Sequence, residues 1–317
     1  MFKYIGKRIL LTIPIFIGIT ILVYYIATLA PGTPLSMLLQ DPYVTQETID
    51  EVTARYGLDQ PVIIQYLRWL GNCLKGNLGY SYRTAEPVLK MVAERMGPTL
   101  LLTLSATIIA LVVSIPLGLL AAYKPYSVWD YCSAGLSFLG AASPNFFMAL
   151  IVIYLFAIKL GILPTGGMYS NAGGRQMSDC LTHLILPSCV LSLQMLGVFI
   201  RQTRSSMLEV LNDDYIRTAR AKGLREKSVV FIHAFRNSLI PIVTQLGTML
   251  PLLVGGAVII EQVFSWPGLG SLMVLSINAR DYPAIMGVTV VIAGTVLLGN
   301  IIVDIVYGIL DPRIRYR

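Results

Sequence analysis

The fold class that the sequence predicts is an all-α integral membrane protein: six transmembrane helices, with an amphipathic helical extracytoplasmic insertion after the first. Three observations predict it. Of 317 residues, 55% are hydrophobic and only 13% charged, against about 25% charged in an ordinary soluble domain; the mean hydropathy is +0.70. Six apolar runs reach or approach the roughly 20 residues a helix needs to cross hydrocarbon. Lysine and arginine gather on alternate connecting segments, which sets an orientation.

The N-terminal MFKYIGKR carries Lys3, Lys7 and Arg8 ahead of an apolar run from Ile9 to Ala30. A basic start before apolar residues is also the pattern of a secretory signal, but this run exceeds the roughly 7–15 apolar residues of such a segment. Residues 1–30 are therefore read as the N-terminus and an uncleaved first span. Residues 31–98 are read as an extracytoplasmic insertion. Thr45 can cap a helix with Glu47 in its first turn, ending before Gly57. Asp59 and Pro61 open a second, on which Val62, Tyr66, Trp69, Leu70 and Cys73 share a face. Glu86 to Met96 gives a third, with Val88, Leu89, Val92 and Met96 in one stripe, and Gly97-Pro98 is expected to end it. These helices are expected on the membrane surface or on the protein's own outer face. A small independent soluble domain is the weaker reading, because so short an interval holds few strongly apolar stretches.

Residues 99–317 hold the other five runs: Thr99–Tyr123, Ser133–Leu160, Leu184–Ile200, Ser238–Ile260 and Ile285–Leu310. Pro116, Pro144, Pro187 and Pro251 lie inside four of them, which is tolerated where neighbouring helices satisfy the freed carbonyls. Pro144, within ASPNFF, is expected to mark a break or bend. With residues 1–8, 123–132, 201–237 and 311–317 inside, those segments carry three, one, eight and three Lys/Arg. The first outside loop is rich in acids instead: Asp41, Glu47, Asp50, Glu51, Asp59, Glu86 and Glu94. Both termini are then cytoplasmic and the chain is multi-pass. The net charge of +7 is explained by this topology, so no nucleic-acid partner is expected.

Chemistry is sparse. No G-x-x-x-x-G-K-[ST] loop, H-E-x-x-H or G-x-S-x-G occurs, so the chain offers no phosphate cradle and no nucleophile with its base. No catalytic residue is named and the chain is not expected to be an enzyme. Cys73, Cys132, Cys180 and Cys189 show no paired metal spacing, and Cys180 with His183 three positions on is a weak pair. Cys73 and Cys180 both fall outside; free thiols are expected over a disulfide. The twelve Met are scattered, as packing residues are. No metal and no cofactor are expected in this chain.

One polar, basic stretch interrupts the apolar second half: DDYIRTARAKGLREKSVVFIHAFRNSLIP, from Asp213 to Pro241. Asp213 or Asp214 can cap a helix, no breaker follows before Lys222, and Gly223 is a natural C′ residue behind that cation. Local physics admits a short helix held between two spans, or an ordinary solvated loop. DYIRTARAKGL, HAFRNSLIP, EQVFSWPGLG (Glu261 to Gly270) and RDYP (Arg280 to Pro283), in this order, resemble the inner-membrane permeases of binding-protein-dependent ABC importers, in the dipeptide, oligopeptide and nickel branch. The similarity extends from the N-terminal Lys-Arg pair to DPRIR, nearly the whole chain. Arg217-Thr218-Ala219 stands where the general importer motif has Glu-Ala-Ala, and Gly223 lies 18 positions before Pro241; both departures are typical of that branch.

The resemblance implies roles. It implies a type I permease fold, and that Asp214, Tyr215, Arg217, Thr218, Ala219, Arg220, Lys222 and Gly223 couple to a separate ATPase. It implies that Glu261, Trp266, Pro267 and Gly268, with Arg280 and Asp281 nearby, belong to the outer gate where a binding protein docks. Its implied partners are a second homologous permease subunit, two ATP-binding subunits that hold ATP and Mg, an extracytoplasmic substrate-binding protein and membrane lipid. The implied location is the bacterial inner membrane. Asp304, in NIIVDIVYGIL near the cytoplasmic end of the last span, is an intramembrane charge, expected to be structural rather than to act in transport: an ion pair, with Arg201 or Arg204 as the candidate partner, or a side chain snorkelling to the interface. Dipeptides or oligopeptides are the expected cargo, with nickel, glutathione or another small solute as the alternative. A stand-alone secondary transporter should show an inverted repeat or a mid-span polar cluster, and neither is clear. A membrane scaffold without transport needs neither the loop helix nor the gate motif.

Overall fold

The computed structural model describes residues 2–29, 45–47, 49–50, 53, 59–170 and 176–310. Among the described residues the regular structure is helical, apart from one isolated antiparallel bridge between Tyr80 and Pro87. The first span is α1 (Phe2–Leu29). The helix expected from Thr45 falls mostly outside the described residues; positions 46, 47, 49, 50 and 53 are helical. The helix expected after Asp59 is α2 (Val62–Leu74), with Pro61 at its N-cap, where a missing N–H costs nothing.

The expected stop at Gly97-Pro98 is absent. A single helix, α3 (Val88–Tyr123), runs through Pro98 and Pro116. Proline inside a helix costs about 3 kcal/mol or more, but here both flanks are fastened. Val88 and Val92 pack with Leu269, Leu272 and Ala284 on one side of Pro98. Leu102, Ala106 and Ala110 enter the main core on the other. Tertiary packing thus overrides the local signal.

Pro144 does break its span. α4 (Val128–Ala142) and α5 (Asn145–Val152) meet there, and α5 runs on as a π-helical stretch, Ile153–Lys159. The two arms are bent by 110°. They carry the chain across, rather than folding back. Asp130, at the start of α4, grips Arg204 near one end of α6 (Met177–Leu211), at 2.8 and 3.1 Å. Ser170, beyond the π-helix, grips Asp179 near the other end, at 2.6 and 2.7 Å. At 1.5 Å per residue those two ends lie about 37 Å apart.

The remaining helices are α7 (Asp214–Ala221), α8 (Phe235–Val263), α9 (Leu269–Asn278) and α10 (Tyr282–Leu310). A short helical turn, Glu226–Ser228, and a π-helical turn, Val229–Ala234, lead into α8. α1, α3, the broken pair, α6, α8 and α10 make six crossings. α6 is the hub, packing against α3, α4, α5 and α8, while α1 lies at the periphery against α10 and α2. One end of the bundle, the basic end, carries Arg8, Arg204, Arg217, Arg220 and Lys222; the other, the far end, carries Glu261, Trp266 and Asp281.

Candidate functional site

At the basic end, α7 has the limits its sequence predicts. Asp213 occupies the N-cap position, without a side-chain cap bond, and Lys222 the C-cap. Gly223 follows with φ of +77°, a conformation that suits glycine or asparagine. Ile216 is the one residue of α7 that is fully buried. It sinks among Leu119, Ala122, Met207, Val229 and Val230, with Ala219 against the same cluster. The helix is therefore a lid laid over the ends of α3 and α6 and the turn leading into α8. Two polar braces hold it: Asn237 donates to the Tyr215 hydroxyl at 2.7 Å, and Arg220 reaches Glu226 at 2.7 and 3.2 Å. The Glu226 carboxylate raises the pKa of the Arg220 guanidinium above its ordinary value. Asp214, Arg217, Thr218, Lys222 and Gly223 face outward. Arg217 makes only a loose, exposed contact with Asp214 at 3.5 Å, worth little in water.

At the far end, Glu261 and Trp266 are fully buried, each with 0% exposure. The last turn of α8 ends at Phe264, Ser265 takes φ of +50°, and α9 starts after Gly268. The Glu261 carboxylate closes this turn, accepting from the Thr99 hydroxyl at 2.7 Å and from the Ser271 N–H at 2.9 Å. Thr99 in turn accepts from the Leu269 N–H at 2.7 Å. Trp266 donates its indole N–H to the Pro98 carbonyl at 2.9 Å. A Cβ on Gly268 would stand 2.1 Å from Glu261 Oε1, so the carboxylate fits only because residue 268 has no side chain.

Asp281 forms a second knot. Nearly buried, it accepts from the Ser81 hydroxyl and from the Tyr82 N–H at 3.0 Å. Arg280 beside it is exposed, with φ of +55°. Sequence reasoning singled out Glu261, Trp266 and Asp281 but missed their partners Thr99, Pro98 and Ser81. Those lie far away in sequence, and only the buried carboxylates' need for donors pointed toward such partners.

Asp304 requires a correction. It pairs with neither Arg201 nor Arg204. Its carboxylate meets the Arg8 guanidinium in a two-point contact, while Arg204 is held by Asp130. α1 packs beside α10, which brings Arg8 closer to Asp304 than either arginine of α6. Cys73 and Cys180 are free thiols; Cys180 lies in the main core and Cys73 beside the Val88 cluster. His183 Nδ1 lies 2.9 Å from the Asp179 carbonyl.

Six crossings with a basic lid at one end and a knotted turn at the other define a multi-pass helical membrane protein. Residues 114–316 match the family of binding-protein-dependent transport system inner membrane components, and residues 1–105 match the N-terminal part of such membrane components. The chain belongs to this family. It is 47% identical, over the full length of both chains, to the oligopeptide transport system permease protein AppB of Bacillus subtilis. It is 39% identical to the di/tripeptide permease protein DppB of Pseudomonas aeruginosa and 36% identical to the dipeptide permease protein DppB of Escherichia coli K12, again over the full length of each. Among solved structures, an inward-facing form of the MetNI methionine ABC transporter matches 72% of this chain and 100% of its own, with a TM-score of 0.58 at 17% identity, which shows a common fold. The chain is thus a non-catalytic permease subunit of an inner-membrane ABC importer, working with a separate ATPase and a permease partner.

Proposed function

We propose that this permease forms half of the pathway of an importer for dipeptides or oligopeptides, with α7 as the handle through which ATP hydrolysis moves it. The basic end is cytoplasmic on this reading, in keeping with the excess of Lys and Arg there, so both ends of the chain face the cytosol. Two ATPase subunits hold ATP and Mg, a homologous permease supplies the other half of the pathway, and an extracytoplasmic binding protein delivers cargo at the far end. When ATP draws the ATPases together, the handle moves and the pathway opens outward; hydrolysis resets it inward. Peptide cargo is supported over nickel or glutathione because the relatives just described are named for peptides. Glu261, Trp266, Pro267, Gly268, Arg280 and Asp281 frame the outer gate. Because Glu261 and Trp266 are buried within this chain, they hold that frame rather than touch cargo.

The observation that carries the proposal is the mounting of α7. One buried residue and two braces tie it to α3, α6, the turn before α8 and the start of α8 itself, leaving Arg217, Lys222 and Gly223 free to meet an acidic partner rim. Gly223 tests it. An added Cβ there meets nothing within 4 Å of this chain. Gly223→Asp places an anion on the docking face and should abolish uptake and uncouple ATP hydrolysis while insertion stays normal. Gly223→Asn, neutral and tolerant of positive φ, should keep most of both activities. Normal uptake in Gly223→Asp removes the coupling role.

A further inference from the structure

α2 is expected to lie on a surface, but its contacts place it deeper. Its Tyr66 hydroxyl is hydrogen-bonded to the Thr20 hydroxyl of α1 at 3.0 Å, both residues buried. Tyr24 stacks edge-on against Tyr66, with ring centroids 5.6 Å apart, and lies 5.5 Å from Trp69. Thr20 is nine positions before Leu29, hence about 13 Å down the helix from that end. A hydrocarbon core is about 30 Å thick, so Tyr66 contacts α1 well inside it.

The residues of α2 divide into three faces at 100° per residue. Val62, Tyr66, Trp69 and Cys73 form one, and this face carries the contacts to α1 and to the Val88 cluster. Gln65, Arg68 and Asn72 form a polar face. Almost opposite the polar face runs a ridge of Ile63, Leu67, Leu70 and Leu74, and Ile63, Leu67 and Leu74 are 64%, 58% and 81% exposed. α1, which the Tyr66 face meets, is itself almost wholly uncovered along its apolar surface. An exposed apolar ridge on a helix that meets α1 at hydrocarbon depth, with cationic Arg68 on another face, is the pattern of an amphipathic helix seated in one leaflet of a membrane.

We infer that α2 is immersed in the far-end leaflet, its Ile63–Leu67–Leu74 ridge in acyl chains and its Arg68 face at the headgroups. It is a lipid-seated brace. Through Gly76 and Gly79 it leads to the Ser81–Asp281 knot, so the far-end frame is referenced to the bilayer as well as to the helix bundle. This assignment does not depend on the coupling or cargo readings.

Spin labels test it in the assembled transporter in lipid nanodiscs. With the four native cysteines replaced, labels are placed by Ile63→Cys, Leu67→Cys, Leu74→Cys and, on the polar face, Arg68→Cys. Collision with dissolved oxygen should exceed collision with a water-soluble nickel chelate at 63, 67 and 74, and the ratio should invert at 68. Chelate access at 67 equal to that at 68 overturns the inference, by placing the ridge in water. Shielding of the ridge from both quenchers overturns it too, by placing the ridge under the binding protein or the other permease. A second variant needs no cysteine replacement. Leu67→Trp should gain emission that is quenched by lipids brominated on their acyl chains, beyond the quenching seen in the parent protein; no added quenching contradicts the immersion.

Discussion

Glu261 shows how one buried group organises its surroundings. Its two oxygens accept from Thr99 and from the Ser271 backbone, joining α8, α9 and α3 at one point. Glu261→Gln would turn an amide donor toward one of these donors. It should cost about 1–3 kcal/mol, read as a lower melting temperature of the purified complex. Thr99→Val should cost a similar amount, and the double variant less than the two together, because the residues share a bond; simple additivity would contradict the pairing. Trp266 contributes bulk as well as a bond. Trp266→Ala should cost about 3–5 kcal/mol and depress uptake, whereas Trp266→Phe, losing chiefly the bond to Pro98, should cost about 1 kcal/mol. Unchanged uptake and basal ATPase in Trp266→Ala would end the gate-frame assignment.

Elements differ in how far their sequence reveals them. α7 was legible because its signals are local: aspartates at its start, no breaker, glycine at C′. The break at Pro144 was legible for the same reason. The continuity of α3 was not, since it depends on Val88 with its partners on α9 and α10 and on Leu102 with its partners on α6 and α8. The partner of Asp304 was hidden as well, 296 positions away. One clue was available: Arg8 and Asp304 both sit near the ends of spans predicted to meet the same membrane face. A charge swap tests the α1–α10 join. Arg8→Asp alone sets two acids together and should lower the amount of assembled protein in the membrane; adding Asp304→Arg should restore most of it. The pair is partly exposed, so a reduction of a few fold is expected rather than total loss. Failure of the swap to restore assembly would show that the two charges are not joined in the membrane.

On the scale of the whole molecule, the two ends have opposite mechanical characters. Buried carboxylates lock the far end internally, whereas the basic end presents a helix held by one isoleucine and two polar braces, with its cations outward. Under the proposed coupling role, force on α7 would pass into α3 and α6, the two helices that pack most extensively in the bundle. The account requires that the handle face the cytosol and touch the ATPase. The most direct measurement introduces Arg217→Cys, on the outward face of α7, into the transporter assembled in membranes, and probes it with a short cysteine cross-linker and with a membrane-impermeant thiol reagent added from each side. The account predicts a cross-link to an ATPase subunit and labelling from the cytosolic side alone. Labelling from the extracytoplasmic side, with no ATPase cross-link, would contradict it.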